Sequence, residues 1–119
     1  QGVADYAFYG AGGADRQLHA ADLDRLPAAQ AFHFGSYALV VEPSGSTLRE
    51  LARRESPRAL VSYDVNVRLN VEPDLARWQA VVQAMLPQVH LLKLSDEDFE
   101  RLYPGANAHA QAHRWLAAG

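Results

Sequence analysis

The feature that most limits how this chain can fold is its rhythm. Three short apolar runs, Ala31 to Phe34, Ala59 to Tyr63 and Val89 to Leu92, alternate with stretches of helical periodicity. The intervening segments are too long for hairpins, which close over about two to five residues. Serine or aspartate before an apolar stripe, and proline after it, mark the helices. Ser44 or Ser46 is placed to cap a helix reaching about Glu55, with Leu48, Leu51 and Ala52 as its stripe and Pro57 as its stop. Pro73-Asp74 opens a second helix whose stripe is Leu75, Trp78, Val81, Val82 and Met85, ended by Pro87. Ser95 is placed to cap a third, with Asp96, Glu97 and Asp98 in a first turn where the macrodipole favours acids, and Gly105 closes it. A last helix spans Ala108 to Leu116. The order β-α-β-α-β-α-α predicts an α/β fold built on a parallel sheet with right-handed crossovers.

The first third of the chain is less regular. Residues Asp5 to Tyr9 suit a short aromatic-rich strand, broken by Gly10-Ala11-Gly12-Gly13. That cluster has neither the GxGxxG nor the GxxxxGK[ST] spacing of a phosphate cradle, so it reads as a turn. A short helix is expected over Ala14 to Leu23, before Pro27. Gly35-Ser36 reads as the turn leaving the first core strand, and Tyr37 to Val41 suits a strand or a turn until Glu42-Pro43 ends it.

Composition removes several functional classes. A net charge of −3, with acids and bases interspersed, argues against nucleic acid or an anionic membrane as the main partner. The absence of cysteine excludes disulfides and thiolate metal sites, and suits a reducing cytosol. No apolar run reaches the roughly 18 residues of a membrane span, and no signal-peptide pattern is evident. With 119 residues the chain is one domain or a piece of one, and its start, Gln1-Gly2-Val3, reads as cut.

The chemistry concentrates after the second run. Asp64, Asn66 and Arg68 are spaced two apart, which puts an acid, an amide and a guanidinium on one side of an extended backbone. Open α/β sheets bind ligands outside the carboxyl ends of their strands, so the triplet sits where a polyhydroxylated or phosphorylated ligand would be held. A solvated strand-to-loop turn has the same pattern. One crossover later, Lys93-x-Ser95-Asp96 follows the third run. If the strands are neighbours, two acids, an amide and two cations meet on one edge, as phosphoryl transfer with Mg²⁺ requires. His109 and His113 have the i, i+4 spacing of metal ligands, but no third ligand matches them, so an exposed helix face is expected. His33, between two phenylalanines, is expected to be a hydrogen-bonded core residue.

Together these segments resemble the middle of PfkB, or ribokinase-like, carbohydrate kinases, and fructokinases in particular. The residues that carry the resemblance are Phe8-Tyr9, Gly13-Ala14-Asp15, His33-Phe34-Gly35-Ser36, Asp64-Val65-Asn66-Val67-Arg68 and Lys93-Leu94-Ser95-Asp96-Glu97-Asp98, followed by Leu102 and Gly105. The resemblance spans nearly the whole chain. It implies part of a three-layer sandwich with a mostly parallel sheet flanked by helices. Residues 1–119 would be the central portion of one kinase domain, with 1–15 near the lid and 31–119 in the core. It also implies transfer of the ATP γ-phosphoryl group, with Mg²⁺, to a primary hydroxyl of fructose, in a cytoplasmic enzyme that is a homodimer when full length.

By the same resemblance, Asp64 would organise the metal's water shell, and Asn66 and Arg68 would line the sugar and phosphate side. Phe8 and Tyr9 would lie near the sugar. Lys93 and Asp96 fall where many relatives carry an Asn-x-x-Glu metal and phosphate motif, so both would face the nucleotide and Asp96 the metal. Gly10 stands where many relatives have arginine. The family's glycine-rich first strand and its Gly-Ala-Gly-Asp segment, which carries the general base, have no counterpart in these residues, so no catalytic residue is assigned here. Within the class, 2-keto-3-deoxygluconate or another sugar is the alternative substrate. From another class, a flavodoxin-like binding or receiver domain would need an acidic pair after the first core strand, where Phe34-Gly35-Ser36 stands. A non-catalytic interaction module built from half a kinase fold is the third reading.

Overall fold

A computed structural model describes residues 2, 7, 9, 10 and 12–119. The three apolar runs form one parallel sheet: β1 (Ala31–Gly35), β2 (Leu60–Asp64) and β3 (Leu91–Lys93), in that spatial order. Register pairs Phe34 with Tyr63 and Gly35 with Asp64 on one side, and Tyr63 with Leu92 and Asp64 with Lys93 on the other. The helices are α1 (Ser44–Glu55), α2 (Leu75–Met85), α3 (Asp96–Leu102) and α4 (Ala108–Ala117). This is an α/β fold with a three-stranded parallel sheet flanked by helices, consistent with part of a ribokinase-like sandwich.

Alternation within the strands explains the packing. Phe34, Val61 and Tyr63 point into a core shared with Leu51 and Ala52 of α1 and Trp78, Val82 and Met85 of α2. Residues of the opposite parity, His33, Leu60 and Leu91, are exposed. Burying a side chain of the size of Val82 or Met85 contributes about 1.5–3 kcal/mol, so the stripe of α2 fixes that helix on the sheet. Its start is fixed by Asp74, whose carboxylate accepts from the amides of Ala76 and Arg77. Trp78, fully buried, donates its indole N–H to the carbonyl of Glu72 at 2.8 Å.

Several expectations are corrected. The segment from Ala14 to Leu23 is not one helix but two 3₁₀ turns, Ala14–Arg16 and Ala20–Arg25. Between them the Leu18 amide donates to the Ser44 hydroxyl and the Leu18 carbonyl accepts from the Thr47 hydroxyl, so the backbone is spent on α1 rather than on itself. Ser44 and Ser46 accordingly do not cap α1. Glu42 does, accepting from the Ser46 amide at 3.1 Å. His33 is exposed rather than buried, although its Nδ1 is 2.7 Å from the Ser62 hydroxyl. The third strand starts two residues late, at Leu91, because the His90 ring takes the Val61 amide at 2.9 Å. Tyr37 to Val41 begins in a 3₁₀ turn, Ser36–Leu39. The strand expected over 5–9 falls mostly outside the described residues.

Candidate functional site

β2 is the middle strand, so its carboxyl end lies between those of β1 and β3. Asp64 is the last residue of β2, paired in register with Gly35 and Lys93. The Lys93 ammonium donates to Asp64 Oδ2 at 2.9 Å, joining the two polar clusters marked in the sequence. Lys93 is 71% exposed, so this pair is worth at most about 1 kcal/mol. It positions a carboxylate and a cation more than it stabilises the fold.

Beyond Asp64 the alternation continues. Val65 and Val67 are buried, while Asp64, Asn66 and Arg68 lie on the half-buried side of the segment. The ladder reaches one residue further, from the Val65 amide to the Lys93 carbonyl at 3.2 Å. The chain then turns at Asn66, with φ +43°, while Ser36, just past β1, has φ +57°. Left-handed backbone costs most residues with a Cβ about 1–2 kcal/mol and asparagine less, so the turn at Ser36 above all needs holding. The Ser36 hydroxyl donates to the Asn66 carbonyl at 3.0 Å. On the other side the Val67 amide donates to the carboxylate of Asp98 at 3.2 Å. Asp98 is buried and also receives the Arg101 guanidinium at 3.4 Å. Each such bond contributes on the order of 1 kcal/mol, enough together to hold the turn.

Asp98 and Ser36 are the residues that sequence reasoning missed. Asp98 reads as one of three helix-start acids, and the Ser95 cap that places it, accepting from its amide at 3.0 Å, was visible. Its reach across to Val67 has no local signal. Arg68 is half-buried and donates to the Val67 carbonyl at 2.9 Å. Among the described residues no hydrogen bond uses the side-chain amide of Asn66, nor the carboxylate of Asp96. Asp96 is exposed and edges a groove of about 520 Å³ between β3 and α4, floored by Leu92, Leu94, Phe99 and Trp115. The structure therefore unites Asp64 with Lys93 and places Asn66 and Arg68 on the segment that continues β2. Among the described residues no hydrogen bond or ion pair joins Asp96 to them.

Tyr9 is 95% exposed, and Phe8 lies outside the described residues. The Gly13 amide donates to the Gly10 carbonyl at 2.8 Å. His109 and His113 are exposed on α4, and among the described residues no three His, Asp or Glu side chains gather as a metal site. No helix among those residues is long and apolar enough to cross a membrane. A carboxylate, a free amide, a guanidinium and an ammonium at adjoining strand ends are suited to gripping hydroxyl and phosphoryl oxygens.

No family model matches the chain. Its sequence is 34% identical over 119 residues to a fructokinase of Rhizobium leguminosarum bv. trifolii, covering 99% of the chain and 36% of that protein. It is 33% identical over 100 residues to a probable fructokinase-4 of Arabidopsis thaliana, covering 82% of the chain and 31% of the relative. Fructokinase-2 of Solanum lycopersicum is 31% identical over 104 residues, with 85% and 32% covered. The chain thus spans about a third of the length of these curated relatives. Homologues named fructokinase, aligned with most or nearly all of this sequence, support its placement in a fructokinase or carbohydrate kinase family.

Proposed function

We propose that this chain supplies the strand ends that grip sugar and phosphate in an ATP-dependent carbohydrate kinase of the PfkB type, with fructose as substrate. The observation that carries the reading is the carboxyl end of β2, where Asp64, Asn66 and Arg68 follow a core strand and Asp64 meets Lys93. It is supported by the match of most of the chain to proteins named fructokinase. In this reading Asn66 and Arg68 hold sugar hydroxyls and the transferred phosphoryl oxygens. Phe8 and Tyr9 close on the sugar, and Lys93 faces the nucleotide phosphates.

The donor set fits Mg²⁺, which is held through one or two carboxylates plus water and substrate phosphates. Lys93 engages Oδ2 of Asp64, which leaves Oδ1 to accept from a metal-bound water, and among the described residues Asp96 has no side-chain hydrogen bond or ion pair that competes. Bound there, the ion would neutralise charge on the phosphates. The general base is supplied from outside these residues, so the 119-residue chain alone does not turn over. The intact enzyme works in the cytoplasm as a homodimer.

The test uses the intact protein that carries this sequence. Arg68→Ala is expected to lower kcat/KM for fructose by about 100-fold, the loss typical of removing one donor from a developing charge. Near-normal turnover would take Arg68 out of the site. Asp96→Asn is expected to raise the Mg²⁺ concentration needed for half-maximal rate, and an unchanged requirement would leave Asp96 as a helix-start acid only.

A further inference from the structure

We infer that Ser36 is a positioning residue for the sugar site, acting through the backbone of Asn66; the inference rests on the reading of Asn66 as a sugar ligand. Ser36 and Asn66 are the two non-glycine residues with left-handed backbone among those described, and they stand just past the ends of neighbouring parallel strands. Serine has no strong tendency to adopt that conformation, unlike asparagine. The hydroxyl of the one donates to the carbonyl of the other across 30 residues of sequence, at 3.0 Å. Strain that persists in pairs, at the edge where α/β sheets bind ligands, persists because surrounding contacts over-determine it.

Three bonds from three different elements determine the turn at Asn66. β3 fixes the residue before it, through the Lys93 carbonyl on the Val65 amide. α3 fixes the residue after it, through Asp98 on the Val67 amide. Among the described residues Ser36 alone fixes the carbonyl of Asn66 itself. Without that bond the peptide between Asn66 and Val67 is held through its N–H alone, by Asp98, and its carbonyl can tilt about that anchor. The side-chain amide of Asn66, which no protein group among the described residues holds, then loses its aim. The end of β1 thereby sets the geometry of a ligand carried after β2.

The experiment compares Ser36→Gly and Ser36→Ala with wild type in the intact protein. Glycine adopts positive φ without penalty, so Ser36→Gly removes the hydroxyl and leaves the β1 turn relaxed; Ser36→Ala removes the same hydroxyl and keeps the strain. Both are expected to raise KM for fructose about five- to tenfold, the factor carried by one hydrogen bond, with kcat nearly unchanged. Both are also expected to shift the amide and Cα resonances of Asn66 away from their left-handed signature, and the Val67 amide with them. An effect confined to Ser36→Ala would assign it to backbone strain and overturn the inference. Unmoved Asn66 resonances, or an unchanged KM, would overturn it as well. Wild type that is inactive on fructose but whose Asn66 resonances depend on Ser36 would refute the substrate reading and keep the tie between the two turns.

Discussion

At the scale of single residues, the buried polar groups separate structure from function. Tyr63 is 1% exposed, and its hydroxyl has no hydrogen-bond partner among the described residues. Burial pushes its phenol well above the ordinary value of 10.0. An unsatisfied buried hydroxyl costs about 1–3 kcal/mol, so Tyr63→Phe is expected to raise stability by up to about 1 kcal/mol in urea titrations. Because the folded pKa is raised, the contribution of neutral Tyr63 is complete below pH 10.0 and is lost as pH rises above it, where the unfolded chain ionises first. Tyr63→Phe should flatten that alkaline limb, and an unchanged limb would mean that water reaches the hydroxyl in solution. Trp78 lies at the opposite extreme, fully buried and hydrogen-bonded to Glu72. Trp78→Ala is expected to cost about 3–5 kcal/mol, and a loss below about 1 kcal/mol would contradict the packing described for α2.

At the scale of elements, what could be read from the sequence follows from which forces are local. The α2 stripe and its start at Asp74 depend on residues within one helix, and both appear as expected. Ser95 caps α3 for the same reason. The cap of α1 was misassigned because Ser44 is diverted to Asp15 and Leu18, some 29 and 26 residues away, leaving Glu42 to take the Ser46 amide. The same diversion splits the expected helix over Ala14 to Leu23. Burial opposes ionisation of Glu42, but hydrogen bonds from the Ser46 hydroxyl, the Arg49 guanidinium and the Ser46 amide outweigh it and lower the carboxyl below 4.5. With a lowered folded pKa, Glu42 contributes stability above pH 4.5 that is lost as pH falls through its folded value. Glu42→Gln should therefore reduce the acid sensitivity of unfolding. An identical acid limb in the variant would show that Glu42 does not anchor α1 in solution. The arrangement of the candidate site was legible in part for the same reason. The two-residue spacing of Asp64, Asn66 and Arg68 survives in the burial pattern, whereas the clamps from Ser36 and Asp98 are long-range and leave no trace in the local sequence.

At the scale of the molecule, the sheet has one well-packed face, while β3 has β2 on one side and the apolar groove on the other. Leu91 is 61% exposed and Leu116 77% exposed beside that groove. Apolar surface next to an unpaired strand edge promotes association. The 119-residue chain is therefore expected to self-associate at micromolar concentration in sedimentation velocity, and Leu91→Lys to reduce it; a clean monomer would show that the edge is inert. The central claim is that the carboxyl ends of these strands serve a fructose kinase. It is tested most directly by measuring ADP release by the intact protein with MgATP, with fructose, with 2-keto-3-deoxygluconate and with no sugar. The account predicts release that depends on fructose and falls about 100-fold in Arg68→Ala. Release that no sugar accelerates, or that Arg68→Ala leaves intact, would contradict it.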